Sequence, residues 1–180
     1  WAFSILSGLL LVLAFTFTGS CFPLAFIAWV PLLLVESTYT IDKRSAPLFW
    51  QAYLTFLIYN IGTTWWIYYA SPEGAYMAFI CNSLVMALAF LVFHKLKRRL
   101  GDRWRTLLLC CTWICLEFFH FNWEMSWPWL TLGNTFATVP ALVQWYSLTG
   151  VFGGSLWILL INAFTYDLVE KRWINHEAIF

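Results

Sequence analysis

Long uncharged stretches alternate along this chain with short segments that hold its charged residues. A stretch of about 20 apolar residues is long enough for a helix to cross the hydrocarbon core of a membrane. Residues 1–35 carry no charge and contain a break near Thr18, which predicts a helical hairpin. Further spans are predicted near residues 47–71, 74–93, 104–121 and 148–166. The pattern predicts an all-α fold, a polytopic transmembrane helical bundle of about six membrane segments.

The charged residues predict the orientation of this bundle. The ten Lys and Arg residues fall in three groups, at Lys43–Arg44, between Lys95 and Arg105, and at Lys171–Arg172. With six crossings all three groups lie on one side, which the positive-inside rule identifies as the cytoplasm. The composition also indicates a membrane protein, because 11% of the residues are charged, against roughly 25% in soluble domains. The basic residues flank apolar segments instead of forming one stripe, so no nucleic-acid partner is expected.

The connection at residues 122–147 is too apolar for an ordinary exposed loop. Pro128 and Pro140 interrupt it, and several threonines make it partly polar. We expect a periplasmic or interfacial loop, because irregular backbone at membrane depth needs protein or water partners. Its tryptophans suit the headgroup level of a membrane, and an aromatic belt with no specific ligand is the alternative interpretation.

Glu117 is the most informative single residue, because it lies well inside the predicted span 104–121. An ionised carboxylate at membrane depth costs about 2.5–3.5 kcal/mol, so it should face a partner or a wet cavity. His120 follows three positions later on the same helical face and is the predicted partner. A neutral Glu117, or one that binds neighbouring backbone, is the alternative. Interhelical hydrogen bonds account for the other intramembrane amides, Asn60, Asn82 and Asn162.

Several kinds of chemistry lack their sequence signature here. The chain has no glycine-rich phosphate loop, no histidines paired at metal-ligand spacing and no nucleophile elbow. Its five cysteines lie in apolar runs, where cysteine usually serves as a small hydrophobic residue. We therefore expect no cofactor, no metal and no catalytic residue in this segment. The residues alone predict a membrane bundle with a functional outer face.

Ordered short motifs resemble one membrane-enzyme family. They are Trp65-Trp66-Ile67-Tyr68 after Gly62, Leu116-Glu117-Phe118, Trp127-Pro128-Trp129-Leu130 with Gly133, and Thr149-Gly150-Val151. In this order they resemble the membrane portion of apolipoprotein N-acyltransferase. The opening hairpin, with Phe22-Pro23-Leu24-Ala25 and Trp29-Val30-Pro31-Leu32, is similar to the start of that family. The Trp-Pro-Trp-Leu form is most similar to its Bacteroidetes branch, although family members often have Arg where this chain has His120.

The resemblance implies a function in the bacterial inner membrane. Family members transfer an acyl chain from a phospholipid to the N-terminal cysteine amine of a diacylglyceryl apolipoprotein. Their chemistry resides in a nitrilase-like domain with a Glu-Lys-Cys triad, which we expect to be absent from this chain. Phospholipid donor, apolipoprotein and lipid bilayer are therefore the expected partners, and the segment is expected to be inactive alone.

The resemblance and the residue pattern together suggest nine lining or supporting residues, none of them catalytic. These candidates are Trp65, Trp66, Tyr68, Glu117, His120, Trp127, Pro128, Trp129 and Gly133. Two other functional classes stay open from the sequence. A noncatalytic membrane scaffold would bind a separately encoded partner. A small transporter is less favoured, because the chain shows no inverted repeat and only one convincing buried acid.

Overall fold

The computed structural model describes residues 1–15, 18, 20–41, 45–124 and 126–177, and every regular element in these ranges is helical. This confirms the all-α prediction for the described residues. The α-helices are α1 (Ala2–Ala14), α2 (Val30–Ile41), α3 (Ala46–Thr64), α4 (Ile67–Ala70), α5 (Pro72–Met77), α6 (Ser83–Leu100), α7 (Arg105–Asn122), α8 (Tyr146–Thr149) and α9 (Val151–Glu177). Short 3-10 turns occupy Phe22–Phe26, Asp102–Trp104, Pro128–Leu130, Leu132–Phe136 and Pro140–Val143, and a π-helical turn at Ala78–Asn82 joins α5 to α6.

Three helical stretches among the described residues are long and apolar enough to cross a membrane. They are Phe22–Thr40, Pro72–Leu100 and Val151–Arg172. The long helices α3 and α7 coincide with two further predicted spans but contain buried polar side chains such as Gln51, Asn60 and Glu117, which lower their average hydropathy. The last helix continues to Glu177, well beyond the predicted end of the final span at residue 166.

Aromatic rings from three helices and from the turn before α2 meet in the core. Trp29, directly before α2, is fully buried and lies edge-on to Trp113 of α7, with ring centroids 4.4 Å apart. Phe56 of α3 stacks on Trp113 at 5.2 Å, and Phe90 of α6 lies 6.2 Å from Trp29. Such pairs contribute about 0.5–1.5 kcal/mol each beyond the burial of their area. The cluster therefore holds α2, α3, α6 and α7 around one centre.

Polar side chains link the helices within this apolar interior. Asn162 donates to the backbone oxygen of Ala25 at 2.7 Å and accepts from the backbone N–H of Trp29 at 2.9 Å. Asn82 donates to the side-chain oxygen of Asn60 at 2.6 Å. These contacts confirm the predicted interhelical hydrogen bonds of the three asparagines. Each amide satisfies backbone or side-chain groups that the bilayer could not.

A buried cluster of charged side chains joins the end of α2 to α6. The carboxylate of Glu36, which is 1% exposed, lies 2.6 Å from Nδ1 of His94 and also contacts the Nζ atom of Lys97. Burying a carboxylate is costly unless an opposite charge and hydrogen bonds compensate it. The cluster therefore places the charged ends of α2 and α6 at the same end of the bundle.

Arg105 links the same end of the bundle to α9. Its guanidinium pairs with Asp102, lies 2.7 Å from Asp167 and lies 3.2 Å from Glu170. The basic ends of α6, α7 and α9 consequently meet in one place. The remaining basic group, Lys43 and Arg44, lies outside the described residues.

Asp102 should make stability at this end depend on pH. Partial burial raises the pKa of Asp102, but its hydrogen bonds and charge interaction with Arg105, together with the charge of Lys97, lower the pKa below its ordinary value. Ionised Asp102 therefore stabilises the fold above about pH 4, and the contribution disappears as pH falls through the folded-state pKa. We expect the thermal midpoint of the wild type to exceed that of Asp102→Asn near neutral pH and the gap to close in acid. An equal gap at both pH values would contradict this.

Candidate functional site

The connection from α7 to α9 folds against the bundle as a series of short turns. Two of its 3-10 turns begin at Pro128 and Pro140, where the fixed φ of proline suits a helical start and no N–H is required. Leu130, Leu132 and Phe136 point into the core and are almost fully buried. The irregular backbone of these turns is therefore enclosed by protein, which supplies partners for its polar groups.

Glu117 anchors this connection to α7. The side chain is 4% exposed, and its Oε1 atom accepts the backbone N–H of Leu132 at 2.8 Å and the indole N–H of Trp113 at 3.1 Å. Hydrogen bonds to a carboxylate are stronger than those between neutral groups. The residue joins a helix to an irregular segment 15 positions later in the chain.

Gly133 forms the second attachment of the connection, this time to α9. Its N–H donates to Oγ of Ser155 at 2.9 Å, and its carbonyl accepts the hydroxyl of Tyr146 at 2.9 Å. Burial, and to a smaller extent the charge of Glu117, raises the pKa of Tyr146 to about 12. A Cβ atom at position 133 would overlap the backbone oxygen of Val151, so this approach requires glycine.

Glu117 and His120 do not pair, and the predicted partnership is wrong. The Oε1 atom of the Glu117 carboxylate instead accepts the N–H groups of Leu132 and Trp113. His120 instead lies against the ring of Trp123, with centroids 5.6 Å apart. Neither ring nitrogen of His120 has a hydrogen-bond partner within the described residues, although the side chain is 5% exposed. The backbone N–H of Leu132, in the connection, takes the place expected for His120 as a partner of Glu117. The sequence pattern did not predict this contact, because it did not place the connection in space.

An open cavity of about 320 Å³ lies between the helix at Pro72–Leu100 and the end of α7. We call it the α7 cavity. Its walls are mainly apolar, with a few polar side chains. The lining residues are Gly74, Met77, Ala78, Cys81, Asn82, Val85, His120, Trp123, Glu124, Ser126 and Trp127.

Four of the predicted aromatic residues form an exposed rim, comprising Trp65, Trp66, Tyr68 and Trp129, each 40–53% exposed. Trp66 meets Trp129 edge-on at 6.0 Å between ring centroids. Tyr68 meets Tyr76 of α5 in the same way at 6.0 Å. The rim therefore joins the end of α3 to the connection and leaves large aromatic surfaces available for contact.

The nine predicted residues thus fall into four groups in and around the connection. Trp65, Trp66, Tyr68 and Trp129 form the aromatic rim. His120 and Trp127 line the α7 cavity. Glu117 and Gly133 attach the connection to α7 and α9, and Pro128 begins its first turn. Among the described residues, no group of three or more His, Cys, Asp or Glu side chains is arranged to hold a metal ion.

Residues 7–164 match the family model described as the apolipoprotein N-acyltransferase N-terminal domain. The chain belongs to this family. An apolipoprotein N-acyltransferase of Chlorobaculum tepidum is 34% identical over 170 residues, which cover 93% of this chain and 31% of that protein. The Geobacter metallireducens protein of the same name is 32% identical over 177 residues, covering 93% of this chain and 33% of its own length. The chain therefore spans about a third of these curated relatives. No solved structure gave a significant match.

Three side chains that shape the site were not predicted from the sequence. Trp113 and Ser155 provide hydrogen-bond partners for Glu117 and Gly133, respectively, and Tyr146 binds the carbonyl of Gly133. The small residues near the start of α9 were the one feature of the sequence that could have indicated close packing against this helix. Gly154 packs so closely on Tyr146 that a Cβ atom would lie 2.6 Å from the Cζ atom of the ring.

Proposed function

We propose that this chain forms the membrane module of an apolipoprotein N-acyltransferase, which transfers an acyl chain from a phospholipid to the N-terminal cysteine amine of a diacylglyceryl lipoprotein. The family match over residues 7–164 carries the proposal. Helices apolar enough to cross a membrane support it. The partners would be the phospholipid donor, the diacylglyceryl apolipoprotein and the surrounding bilayer.

The proposed module crosses the bacterial inner membrane about six times, with its basic segments in the cytoplasm. Contacts of Arg105 with Asp102 and Asp167 support this topology, because they hold the basic ends of α6, α7 and α9 together. The connection at residues 122–147 then lies at the periplasmic side. The aromatic rim falls at the same side, where Trp and Tyr side chains suit the level of the lipid headgroups.

Bond making and breaking is assigned to a nitrilase-like domain outside these residues. Its cysteine thiolate would attack an ester carbonyl of the phospholipid, forming a thioester and releasing a lysophospholipid. The lipoprotein amine would then attack the thioester, forming an amide and returning the thiol. Support comes from the relatives, of which this chain covers 31% and 33%. We propose that this segment alone is inactive.

In this proposal the nitrilase-like domain carries out the chemistry, and the described residues bind and position the substrates. The rim would guide lipid chains laterally from the bilayer towards the catalytic domain. Glu117 and Gly133 would keep the connection in place beneath the rim, since they attach it to two different helices. Positioning of this kind contributes to catalysis by holding reacting groups in a productive geometry.

Trp129→Ala tests this proposal in the protein expressed from its complete coding sequence. The ring is 53% exposed and contacts Trp66 at the rim, so its loss should remove substrate contact with little effect on folding. We expect acyl transfer per folded molecule to fall about tenfold, as for an aromatic contact that dominates a binding surface. The measurement is transfer of a labelled acyl chain from phospholipid to a diacylglyceryl-cysteine peptide.

Trp50→Ala is the matched control for Trp129→Ala. Trp50 is 57% exposed and lies near the start of α3, at the opposite end of that helix from the rim. It should retain wild-type acyl transfer. Equal losses of activity and of expression in Trp129→Ala would leave that residue only a packing role. Absence of acyl transfer in the wild type would overturn the proposed function and favour a noncatalytic scaffold.

A further inference from the structure

The turn between α6 and α7 carries most of the positive charge of the chain. Residues 95–105 contain six of the ten Lys and Arg residues and one acid, Asp102. Two of the six cations, Lys97 and Arg105, are buried and contact carboxylates within the bundle. The other four are exposed and make no ion pair with a carboxylate of the described residues. We call these four the basic turn, which comprises Lys95, Arg98, Arg99 and Arg103.

The nearby carboxylates are engaged elsewhere. Four acidic side chains at this end of the bundle each contact Lys97, Arg105 or both. They are Glu36, Asp102, Asp167 and Glu170. Because these acids are held by the two buried cations, they leave the basic turn with its positive charge. A surface of one sign of charge attracts partners of the other sign, so the partner of the basic turn is an anion.

The basic turn lies where a membrane-crossing stretch ends. The stretch Pro72–Leu100 is apolar enough to cross a membrane, and its last helical turn carries two of the four cations. Long basic side chains at such an end extend so that their charge reaches the headgroup level. Leu100 and Trp104 are exposed beside them, and the guanidinium of Arg103 lies over the Trp104 ring at 5.5 Å. This mixture of cations and exposed apolar side chains suits the membrane interface better than open water.

Helical spacing groups the cations of the basic turn. The three on α6 are spaced by three and four residues, so they share one face of the helix. Gly101 ends α6 with φ +98°, a conformation that suits glycine, and Arg103 follows two positions later. Arg98 also approaches the Oγ atom of Ser45, directly before α3, at 3.4 Å. The basic turn therefore extends to the start of α3.

The length of α3 separates this surface from the aromatic rim. Arg98 contacts Ser45 before the start of the helix, whereas Trp65 and Trp66 of the rim follow its other end. A helix of 19 residues spans about 28 Å, which is close to the thickness of the hydrocarbon core. A lipid at the basic turn therefore lies in the opposite leaflet from the rim, so it is not the acyl donor of the proposed reaction.

We propose that the basic turn binds the phosphate groups of anionic lipids in the leaflet opposite the rim. Each Lys or Arg near an anionic membrane surface strengthens binding about fivefold, and four of them share this small region. An acidic protein also has the opposite charge, but the exposed Leu100 and Trp104 at the end of a membrane-crossing stretch favour lipid. Recognition depends on headgroup charge and takes no part in acyl transfer. Bound lipids hold the turn between α6 and α7 at the headgroup level.

Two lipids that differ only in their headgroup test this proposal. The protein expressed from its complete coding sequence is purified in detergent and offered equal amounts of phosphatidylglycerol, which is anionic, and phosphatidylcholine, which is zwitterionic, with the same acyl chains. Native mass spectrometry measures the ratio of the two bound lipids. We expect the wild type to prefer phosphatidylglycerol by about fivefold for each cation engaged, and added salt should weaken the preference. Arg98→Gln together with Arg99→Gln should lower the preference at least about fivefold.

The matched control removes the same charge from the end of α9. Two acids lie within the four residues before Lys171 and Arg172, so Lys171→Gln together with Arg172→Gln should keep the lipid preference. Arg98→Lys together with Arg99→Lys keeps the charge and should also keep the preference. An unchanged thermal midpoint shows that each variant remains folded. Equal losses in the two glutamine pairs overturn the proposal, because overall charge would then explain the binding. Equal binding of both lipids to the wild type overturns it as well.

A poly-glutamate peptide tests the other class of partner under the same conditions. Peptide binding that Arg98→Gln and Arg99→Gln abolish, without a preference for phosphatidylglycerol, would overturn the lipid assignment and indicate an acidic protein. Lipid binding needs no turnover, so its outcome is separate from that of the proposed function. A preference that depends on the basic turn, found without acyl transfer, would reject only the proposed function. Acyl transfer without this preference would reject only the lipid site.

Discussion

Glu117→Ala should destabilise the protein more than any other single change considered for this site. The substitution leaves the buried N–H groups of Leu132 and Trp113 without their shared acceptor. Each unsatisfied buried donor costs about 1–3 kcal/mol, so a loss of about 2–6 kcal/mol in the free energy of unfolding is expected. The amide hydrogen of Leu132 should also exchange much faster with solvent, because the connection separates from α7. Denaturant unfolding in detergent and hydrogen exchange measure the two effects.

Glu117→Gln is the control that separates hydrogen bonding from charge. The glutamine amide oxygen accepts hydrogen bonds at the same position, although a bond to a charged acceptor is stronger. This variant should keep most of the stability and most of the protection at Leu132. Wild-type unfolding and unchanged exchange in Glu117→Ala would show that the carboxylate does not hold the connection. If Glu117→Gln lowered the free energy of unfolding as much as Glu117→Ala, the charge of the carboxylate and not its hydrogen bonding would explain the loss.

Gly133→Ala is expected to have the second largest effect. A methyl group at this position would overlap the backbone oxygen of Val151 and lie 2.8 Å from its Cγ2 atom. A backbone atom cannot move aside like the end of a flexible side chain, so the connection must shift away from α9. That shift would break the bond from Gly133 to Ser155. Overpacking of this kind costs about 1–3 kcal/mol, measurable as a lower thermal midpoint in detergent.

Gly74→Ala provides a matched comparison for Gly133→Ala. A Cβ atom at Gly74 would approach only the side chain of Ser71, at 3.0 Å from its Oγ atom, and the residue lies in the helical α5. Alanine also restricts the unfolded chain more than glycine does, which is slightly stabilising where the conformation allows it. The variant should therefore be as stable as the wild type or slightly more stable. Equal stability of both alanine variants would contradict a tight contact at Gly133.

Both attachments bear on the proposed enzyme in the same way. The rim residue Trp129 and the cavity residue Trp127 flank Pro128, directly before the segment that Glu117 and Gly133 hold. Loosening either attachment should therefore disturb rim and cavity together. Loss of Trp129 alone should affect the rim while leaving the fold intact.

The helical class and much of its polar interior were predictable from local pattern. In a membrane, a helix satisfies its backbone N–H and C=O groups within a single segment. Uninterrupted apolar runs in a chain with 11% charged residues therefore predict helices. The asparagines at positions 60, 82 and 162 were expected to bind between helices, because an unpaired amide is costly there. The ends of helices were less predictable, and α9 continues through charged residues to Glu177.

Tertiary structure decided how the candidate site is assembled. Sequence placed Glu117 inside a helix and indicated that it needed a partner, but helical spacing favoured His120. The actual donors are Trp113, one turn away, and the backbone of Leu132, whose position depends on how the connection folds back. Backbone N–H groups are present at every residue, so no sequence pattern distinguishes the one that will be used.

Hydropathy and ordered motifs can be read directly from the chain, so the sequence was enough to predict helices apolar enough to cross a membrane and membership of the apolipoprotein N-acyltransferase family. The division of the nine candidate residues among the rim, the α7 cavity, the two attachments and the turn that begins at Pro128 depends on the tertiary structure. It also brought Asn82, His120, Trp123 and Trp127 to one cavity. Those residues come from separate helices and an irregular connection, and only packing determines the distances between them.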